Sequence, residues 1–530
     1  MRRFHSYGPV DSRRHFCVER RELREKCFKN LTDDLEKGGH FFTIWAPRQA
    51  GKTWLSWQVK QEIEKQYKDK FIVGSMSMQG TILNKEGSED DLLKRIPKLI
   101  RDTFRIKIEE PENWKGWTNI FYKDAGLFDR PVILFIDEFD SLPPKVTDRM
   151  VTLFRDMYLK RDAYLLHGLA LIGVRAALDV KNERFSPFNI QRSLHVPNFT
   201  PDEVRELFRQ YAGESGQKVL PEVVESVYEA TRGQPGLVCW FGELLTEKFN
   251  PGEGRAIDLP IWKRAYGSAL RREWNNTVLN LVKKARNEKY QPYVLALFAS
   301  SDIPFNIDAE WCSYLYLNGI IDTETYTDDK GEYADICRFS SPFVQERLYN
   351  ALTYDLVGDR LPILALEILD ELEDVFAGNS LNLPALLRRY KDYLKRLGAK
   401  NLNPWKDQPR RADMHYTEAV GHFHLYAWLQ SAVGRRCVVS PEFPTGNGRV
   451  DLHLRCGKQR GIIEVKSFVD ASEVRRSRKQ AAAYAGSLKM DSVTVALFVP
   501  TEDEEVLAQL SGEQTIDGVS VTVVAVGWVI

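Results

Sequence analysis

Phe41 to Gln66 reads FFTIWAPRQAGKTWLSWQVKQEIEKQ. Apolar residues run into a loop, APRQAGKT, and a helix-forming stretch follows. The loop, Ala46 to Thr53, keeps the spacing G-x-x-x-x-G-K-[ST], with Ala46 in place of the first glycine. A strand–loop–helix of this kind aims backbone N–H groups and a helix N-terminus at phosphate oxygens. Lys52 is expected at the β- and γ-phosphates of a nucleotide and Thr53 at Mg²⁺. Gln49, Ala50 and Gly51 complete the cradle, and Trp54 opens the helix.

A matching stretch lies downstream. PVILFIDEFDSL (Pro131 to Leu142) carries five apolar residues straight into Asp137-Glu138, as a buried parallel strand ending at a site does. Asp137 is expected to hold Mg²⁺ through water, and Glu138 to orient or activate the attacking water. Asp140 reads as a cap or a supporting residue. A third apolar strand, LALIGVR, ends at Arg175, which is either a γ-phosphate sensor or a surface arginine.

The 530 residues suffice for three or four domains. Lys+Arg and Asp+Glu both number 74, so global charge does not argue for nucleic acid, and only local patches can. Seven cysteines lie scattered, without CxxC and without zinc-like spacing to the nine histidines, which points to a reducing compartment and no structural zinc. The first residues carry no secretory pattern and no run reaches the length of a membrane helix. A soluble cytoplasmic protein with no membrane partner is expected.

Gly448 to Phe468, GRVDLHLRCGKQRGIIEVKSF, raises a different question. Two strand-like runs flank a turn, yet Asp451, Glu464 and Lys466 interrupt them. Alternation places Glu464 and Lys466 on one face beside Asp451. Burying that face is costly unless the charges hold something. Asp451, Glu464 and the Val465 carbonyl form an oxygen set suited to Mg²⁺ or Mn²⁺. Lys466 is placed to position water or to stabilise charge on a phosphate in transfer. In a chain with 28% charged residues a bare D…ExK is a weak signal, but three neighbours strengthen it. Glu418 sits on the preceding helix, Gln480-x-x-x-Tyr484 on the next, and Arg475, Arg476, Arg478 and Lys479 lead into that helix, where they could meet backbone phosphates. His415, His422 and His424 flank Glu418 and read as core or helix-face residues.

The front half resembles AAA-like ATPases of the bacterial STAND and archaeal-ATPase type. The resemblance runs over roughly residues 5–285 and rests on YGPVDSRRHFCVERRELREKC, APRQAGKT, FIDEFD, SPFNI and TRGQPGLV in that order. It implies an ATP-binding core followed by a helical lid, with Arg232 of TRGQPG either a phosphate sensor or a solvated arginine. Residues 286–355 read helix, helix, hairpin, helix, an order that fits a winged helix. Its second helix, NIDAEWCSYLYLNG, has no Lys or Arg, so packing as a switch is favoured there over duplex binding. Residues 356–412 read as a helical connector. Its second part, PALLRRYKDYLKRLGAKNLNPWKDQPRR, has nine basic and two acidic residues with Tyr390, Tyr393 and Trp405 interleaved. That stretch is either a nucleic-acid patch or a solvated basic helix. The α-β-β-β-α-β order after residue 413, with Asp451 and Glu464-Val465-Lys466, resembles the PD-(D/E)XK nucleases, and Gln480 and Tyr484 resemble the pair that orders the site in nucleases fused to recombination helicases.

The expected architecture is therefore a multidomain α/β chain: P-loop AAA-like ATPase core 1–200, helical lid 201–285, winged helix 286–355, helical connector 356–412 and PD-(D/E)XK nuclease 413–530. The expected function is ATP-controlled cleavage of nucleic acid, DNA before RNA, as a homo-oligomer or with a sensor protein of a prokaryotic defence system. A repair nuclease and a non-cutting ATP-driven scaffold are the alternatives.

Overall fold

Strand β1 (Phe41–Trp45) is followed by helix α1 (Lys52–Gln66), and β2 (Ile72–Ser77), β3 (Val132–Asp137), β4 (Leu166–Gly173) and β5 (Ser193–His195) complete one sheet. The order is β2-β3-β4-β1-β5 and every pairing is parallel. Alternation explains the continuous apolar runs: Phe41 and Phe42 point into separate cores on the two faces. All of this belongs to a unit comprising Met1–Ala269, Trp274–Thr277 and Leu317–Gly319. The computed structural model describes the chain except residues 80–88, 174–192, 253, 300–302, 328–332, 358–363, 367–371, 377–380, 407, 409–415, 435, 443–450 and 529–530. Arg175, His415 and the SPFNI stretch therefore lie outside the described residues.

Further helices follow in the same unit. Pro201–Ser215 starts with a capping box in which the Thr200 hydroxyl accepts from Glu203 N–H while the Glu203 carboxylate accepts from Thr200 N–H. Pro221–Thr231 leads to the turn before helix α2 (Pro235–Glu243).

The second unit holds Leu270–Glu273, Val278–Tyr316 and Ile320–Ile530. It begins with helices, then an antiparallel pair, β6 (Ile321–Thr327) and β7 (Tyr333–Phe339), and a helix at Pro342–Val357, in the order the sequence led us to expect. Next come helix α3 (Leu383–Ala399), helix α4 (Glu418–Val433), strands β8 (Val438–Glu442), β9 (Asp451–Cys456) and β10 (Gln459–Ser467), helix α5 (Ala471–Ser487), β11 (Ser492–Val499), helix α6 (Glu504–Leu510), β12 (Gly512–Ile516) and β13 (Val519–Gly527). The sheet order is β12-β13-β11-β10-β9-β8. The pairs β10–β11 and β11–β13 are parallel, and the outer pairs are antiparallel. Helix α5 lays Ala481, Ala482 and Ala485 against Ile462, Val495 and Leu497. Residues of opposite parity face the other helices: a Cβ on Gly421 of α4 would lie 2.7 Å from the Phe498 ring, and one on Gly461 would lie 2.7 Å from Leu383 of α3.

Two readings of the sequence are corrected here. The basic stretch is not an aromatic-lined nucleic-acid surface. Tyr390 and Tyr393 are fully buried and Trp405 is 4% exposed, so none offers a ring to a base. Its cations are largely engaged: Arg389 with Asp374, Lys391 and Lys395 with Glu504, and Arg396 with the Leu364 and Ala365 carbonyls. Nor are the cysteines all scattered thiols. Cys437 and Cys456 form a disulfide that extends the β8–β9 ladder by one cross-strand pair beyond Val438–Arg455. No described helix is long and apolar enough to cross a membrane.

Candidate functional site

The first site gathers at the carboxyl ends of β1, β3 and β4, where open parallel sheets bind ligands. Ala46 is fully buried, and positive φ falls instead at Gln49 (56°) and Gly51 (88°). The loop therefore does not need glycine at its first position. A Cβ at Gly51 would meet nothing within 4 Å, so the backbone there faces open space. Ala50 is buried in the core beneath, and Trp54 donates its indole N–H to the Val18 carbonyl and stacks on Trp57.

Lys52 Nζ lies 2.8 Å from both the Ala46 and Pro47 carbonyls. Burial lowers its ammonium to about 8, with Asp140, Asp137 and Glu138 pulling the other way. Thr53 Oγ1 donates to Asp137 Oδ2 at 2.8 Å, and Asp137 Oδ1 accepts from Glu138 N–H at 2.8 Å. Glu138 is held at φ 53°, a conformation that costs a non-glycine residue strain and recurs at active sites. Burial raises its carboxyl, and Asp140 and Asp137 push it further in the same direction. Asp140 Oδ1 is buried without a hydrogen-bond partner beside Gly173, where a Cβ would come within 2.6 Å of it.

The turn before α2 meets the same loop. Gln234 Nε2 donates to the Arg48 carbonyl at 3.1 Å, and a Cβ on Gly236 would lie 2.6 Å from Gln49 Oε1. Gln49 is also hydrogen-bonded to Thr277 Oγ1. Arg232 ends its helix at φ 49° and is exposed. Gln234 and Arg48 were not among the sequence candidates. The usable signal was glutamine directly before a helix-opening proline, as at Gln234-Pro235.

These residues fit a nucleotide with Mg²⁺: a loop with outward-facing backbone, a lysine at its mouth, and a hydroxyl–carboxylate pair of the kind that shares a magnesium ion. The parallel sheet with this loop and these acids defines a P-loop ATPase. The sequence model of the AAA-like domain matches residues 5–276, just over half of the chain, and the chain belongs to that family. Among solved structures, the Walker-type ATPase of Pyrococcus abyssi aligns at 17% identity and TM-score 0.43, covering 63% of this chain and 96% of that one. The Aeropyrum pernix ORC1 protein, in complex with DNA, aligns at 14% identity and TM-score 0.35, over 64% of this chain and 94% of its own. The Thermotoga maritima RuvB Holliday junction branch migration motor aligns at 14% and 0.34, over 60% and 92%. No curated protein matches the sequence.

The second site lies on β10. Glu464 is 4% and Lys466 8% exposed, within a strand that is otherwise apolar at those depths. Lys466 Nζ is 3.3 Å from Glu464 Oε1 and 3.3 Å from Glu418 Oε1, at the start of α4. Asp451 is the cross-strand register partner of Glu464, and Val465 pairs with Ala496. Among the described residues no group of three His, Cys, Asp or Glu side chains stands ready for a metal. Tyr484 Oη meets Nε2 of His453, two residues along β9 from Asp451, at 3.4 Å. Gln480 is half-buried on the same helix, while Arg475, Arg476 and Lys479 are exposed. Helix α5 starts where it does because Asp470 Oδ1 accepts from the N–H groups of Ser472 and Glu473. His422 and His424 are buried against the Tyr349 and Tyr390 hydroxyls, which makes them core residues.

Proposed function

We propose that the protein is an ATP-controlled nuclease dependent on Mg²⁺ or Mn²⁺, with DNA the expected substrate and Asp451, Glu464 and Lys466 as its PD-(D/E)XK set. The observation that carries this reading is the burial of Glu464 and Lys466 in mid-strand, with Glu418 drawn to the same ammonium. Buried charge is expensive, and its cost is repaid where the groups perform chemistry. Asp451, Glu464 and the Val465 carbonyl would hold the cation, which when bound polarises a phosphodiester and lowers the pKa of a water. Lys466 would turn from the two glutamates toward the attacking water or the phosphate. Glu418 would accept the water's proton or hold a second hydration shell. Gln480 and Tyr484 would fix α5 against β9. The helix–helix–hairpin–helix segment would serve as a winged-helix switch between ATPase and nuclease, in a cytoplasmic assembly of a STAND-type defence system.

One observation favours a second reading. Lys466 already pairs with two carboxylates, as a structural ion network does, and a non-cutting scaffold would contain the same contacts. Incubation with plasmid, linear DNA and RNA separates the two. Cleavage with Mg²⁺ or Mn²⁺ that stops with EDTA and in Glu464→Ala supports the nuclease. Metal-independent binding without cutting supports the scaffold.

A further inference from the structure

A cavity of about 530 Å³ opens between the end of α3, the loop after it, α6 and the end of β13. Its size falls within the range of small-molecule sites, roughly 300–1,000 Å³. The floor is apolar and aromatic: Leu394, Trp405, Leu507 and Val526 line it. Trp405, Leu507 and Val526 are buried, so this floor is part of the folded core and not a surface dimple. The loop wall is tied down. Asn401 takes φ 57°, its N–H and that of Leu402 return to the Gly398 and Leu397 carbonyls at 2.9 and 3.0 Å, and Asn403 Oδ1 accepts from Trp405 N–H at 2.8 Å.

The rim is polar on one side. Lys391 and Lys395 both reach Glu504, at 3.6 and 2.8 Å, and Glu502 stands nearby. Each ammonium has three donors, and one carboxylate cannot satisfy both lysines. A ligand acid could take the remaining donors while its apolar body lies against Leu394 and Leu402, with only the edge of the Trp405 ring in reach. With two lysines set against two glutamates, a single negative charge suits the rim better than a polyanion.

The cavity is also linked by contacts to the second site. The Trp405 and Tyr416 rings are 6.2 Å apart, and the Tyr416 carbonyl accepts from Ser467 Oγ at 3.2 Å. Ser467 follows Lys466, and Glu418 lies two residues beyond Tyr416. These contacts are a continuous route from Trp405 to the segment that carries both partners of the Glu418–Lys466 pair.

We propose that this cavity binds a small monoanion with an apolar body, such as an aryl carboxylate or sulfonate, and that binding modulates the site around Lys466. The binding stands on the cavity alone; the modulation rests on the nuclease reading above. The test uses the full-length protein in EDTA with anilinonaphthalene sulfonate as the probe, read by fluorescence. Saturable binding at one site per chain is expected. Gly398→Trp should weaken it by about tenfold or more. Gly398 lines the cavity, and a Cβ there meets nothing within 4 Å, so a larger side chain is tolerated at the cavity wall. Leu402→Glu, on the exposed loop wall, provides a second variant should the first misfold. Unchanged affinity in both variants would overturn the proposal, as would non-saturable binding. In Mg²⁺, saturating probe should change the cleavage rate of wild type and not of Gly398→Trp. Binding without that change overturns the effector role. Absence of cleavage under every condition sinks the nuclease reading and leaves the fluorescence titration standing.

Discussion

Lys52 and Lys466 are both buried among acids, and they are held in opposite ways. Lys52 bonds two backbone carbonyls, while Asp137, Glu138 and Asp140 act on it only through their field. Lys466 is bonded directly to two carboxylates. The first amine can exchange neutral partners for a phosphate at little electrostatic cost. The second cannot leave without setting buried Glu464 and half-buried Glu418 against each other. The nucleotide loop is thus kept ready for an anion, whereas on β10 one ammonium faces two carboxylates, an arrangement in which the proposed cation would take the ammonium's place.

The largest effect is expected on cleavage. Asp451→Ala, Glu464→Ala or Lys466→Ala should each lower it by roughly 10³-fold. Lys466→Met sharpens the comparison further, because it strands Glu464 and Glu418 together. Breaking a buried pair this way costs about 3–5 kcal/mol. Mg²⁺ should restore much of that loss, and should stabilise the variant more than it stabilises wild type. Thermal melts with Mg²⁺ and with EDTA read this without any cleavage assay. Equal Mg²⁺ stabilisation of the two proteins would mean that no cation takes the place of the ammonium.

Next in size is the dependence of one site on the other. Lys52→Ala should lose phosphate binding, while Glu138→Gln should bind ATP and hydrolyse it slowly. If nucleotide state gates cleavage, the two variants should differ by about tenfold or more when assayed with no nucleotide, ATP and ADP. Which of the two variants cuts faster gives the sign of the gate. Identical rates in all conditions would leave two independent enzymes on one chain.

The units should also differ in their response to reductant. Cys437 and Cys456 are 19 residues apart, and closing a loop of that size stabilises by about 3 kcal/mol in the chain-entropy account. Dithiothreitol, or Cys437→Ser, should lower the melting temperature of the second unit and leave the first unchanged. A single unshifted transition would remove the disulfide from any structural role.

Acid should affect both units, through one buried histidine in each. Burial lowers His167 to about 4 and His424 to about 3. Below an unfolded pKa of about 6.5 the unfolded chain takes the proton and the folded chain does not, so stability is lost as pH falls. Between pH 6.5 and 5 each histidine should cost about 2 kcal/mol. His167→Phe and His424→Phe should each flatten the pH dependence of one transition only. A variant that keeps the wild-type slope would show that its histidine titrates normally.

Much of the fold was legible because burial on both sheet faces forces continuous apolar runs, as in FFTIW and VILFID. The P-loop was legible because its function depends on fixed local spacing. The second site announced itself only as an anomaly, charges where a strand should be apolar, and its assembly depends on register with β9 and on α4. What went unread was non-local. Tyr390, Tyr393 and Trp405 looked like a nucleic-acid patch because composition does not reveal which side of a helix is buried. Cys437 and Cys456 meet only once β8 and β9 pair. The β12–β13 hairpin was readable in principle: Asp517-Gly518, both at positive φ, is a tight-turn dipeptide between alternating strands.

The smallest expected effect concerns where nucleic acid touches the second unit. Helix α5 presents Arg475, Arg476 and Lys479 to solvent, whereas the basic stretch of α3 has most of its cations engaged and its aromatics buried. Phosphate contacts release counterions, so each lost contact flattens the dependence of log affinity on log salt by about 0.9 for duplex DNA. Reversing Arg475 and Arg476 to glutamate should therefore flatten it by about two units, uniformly across sequences. Reversal of Arg388, exposed on α3, should change it by less than one. Gln480→Ala and Tyr484→Phe should leave the slope unchanged and reduce cleavage less than loss of Glu464 does, because they position α5 and do not hold phosphate. Binding measured in EDTA over a salt series separates these outcomes. If the Arg475/Arg476 variant keeps its slope and the Arg388 variant loses it, the nucleic acid lies along α3 and the contrast drawn between the two helices is wrong.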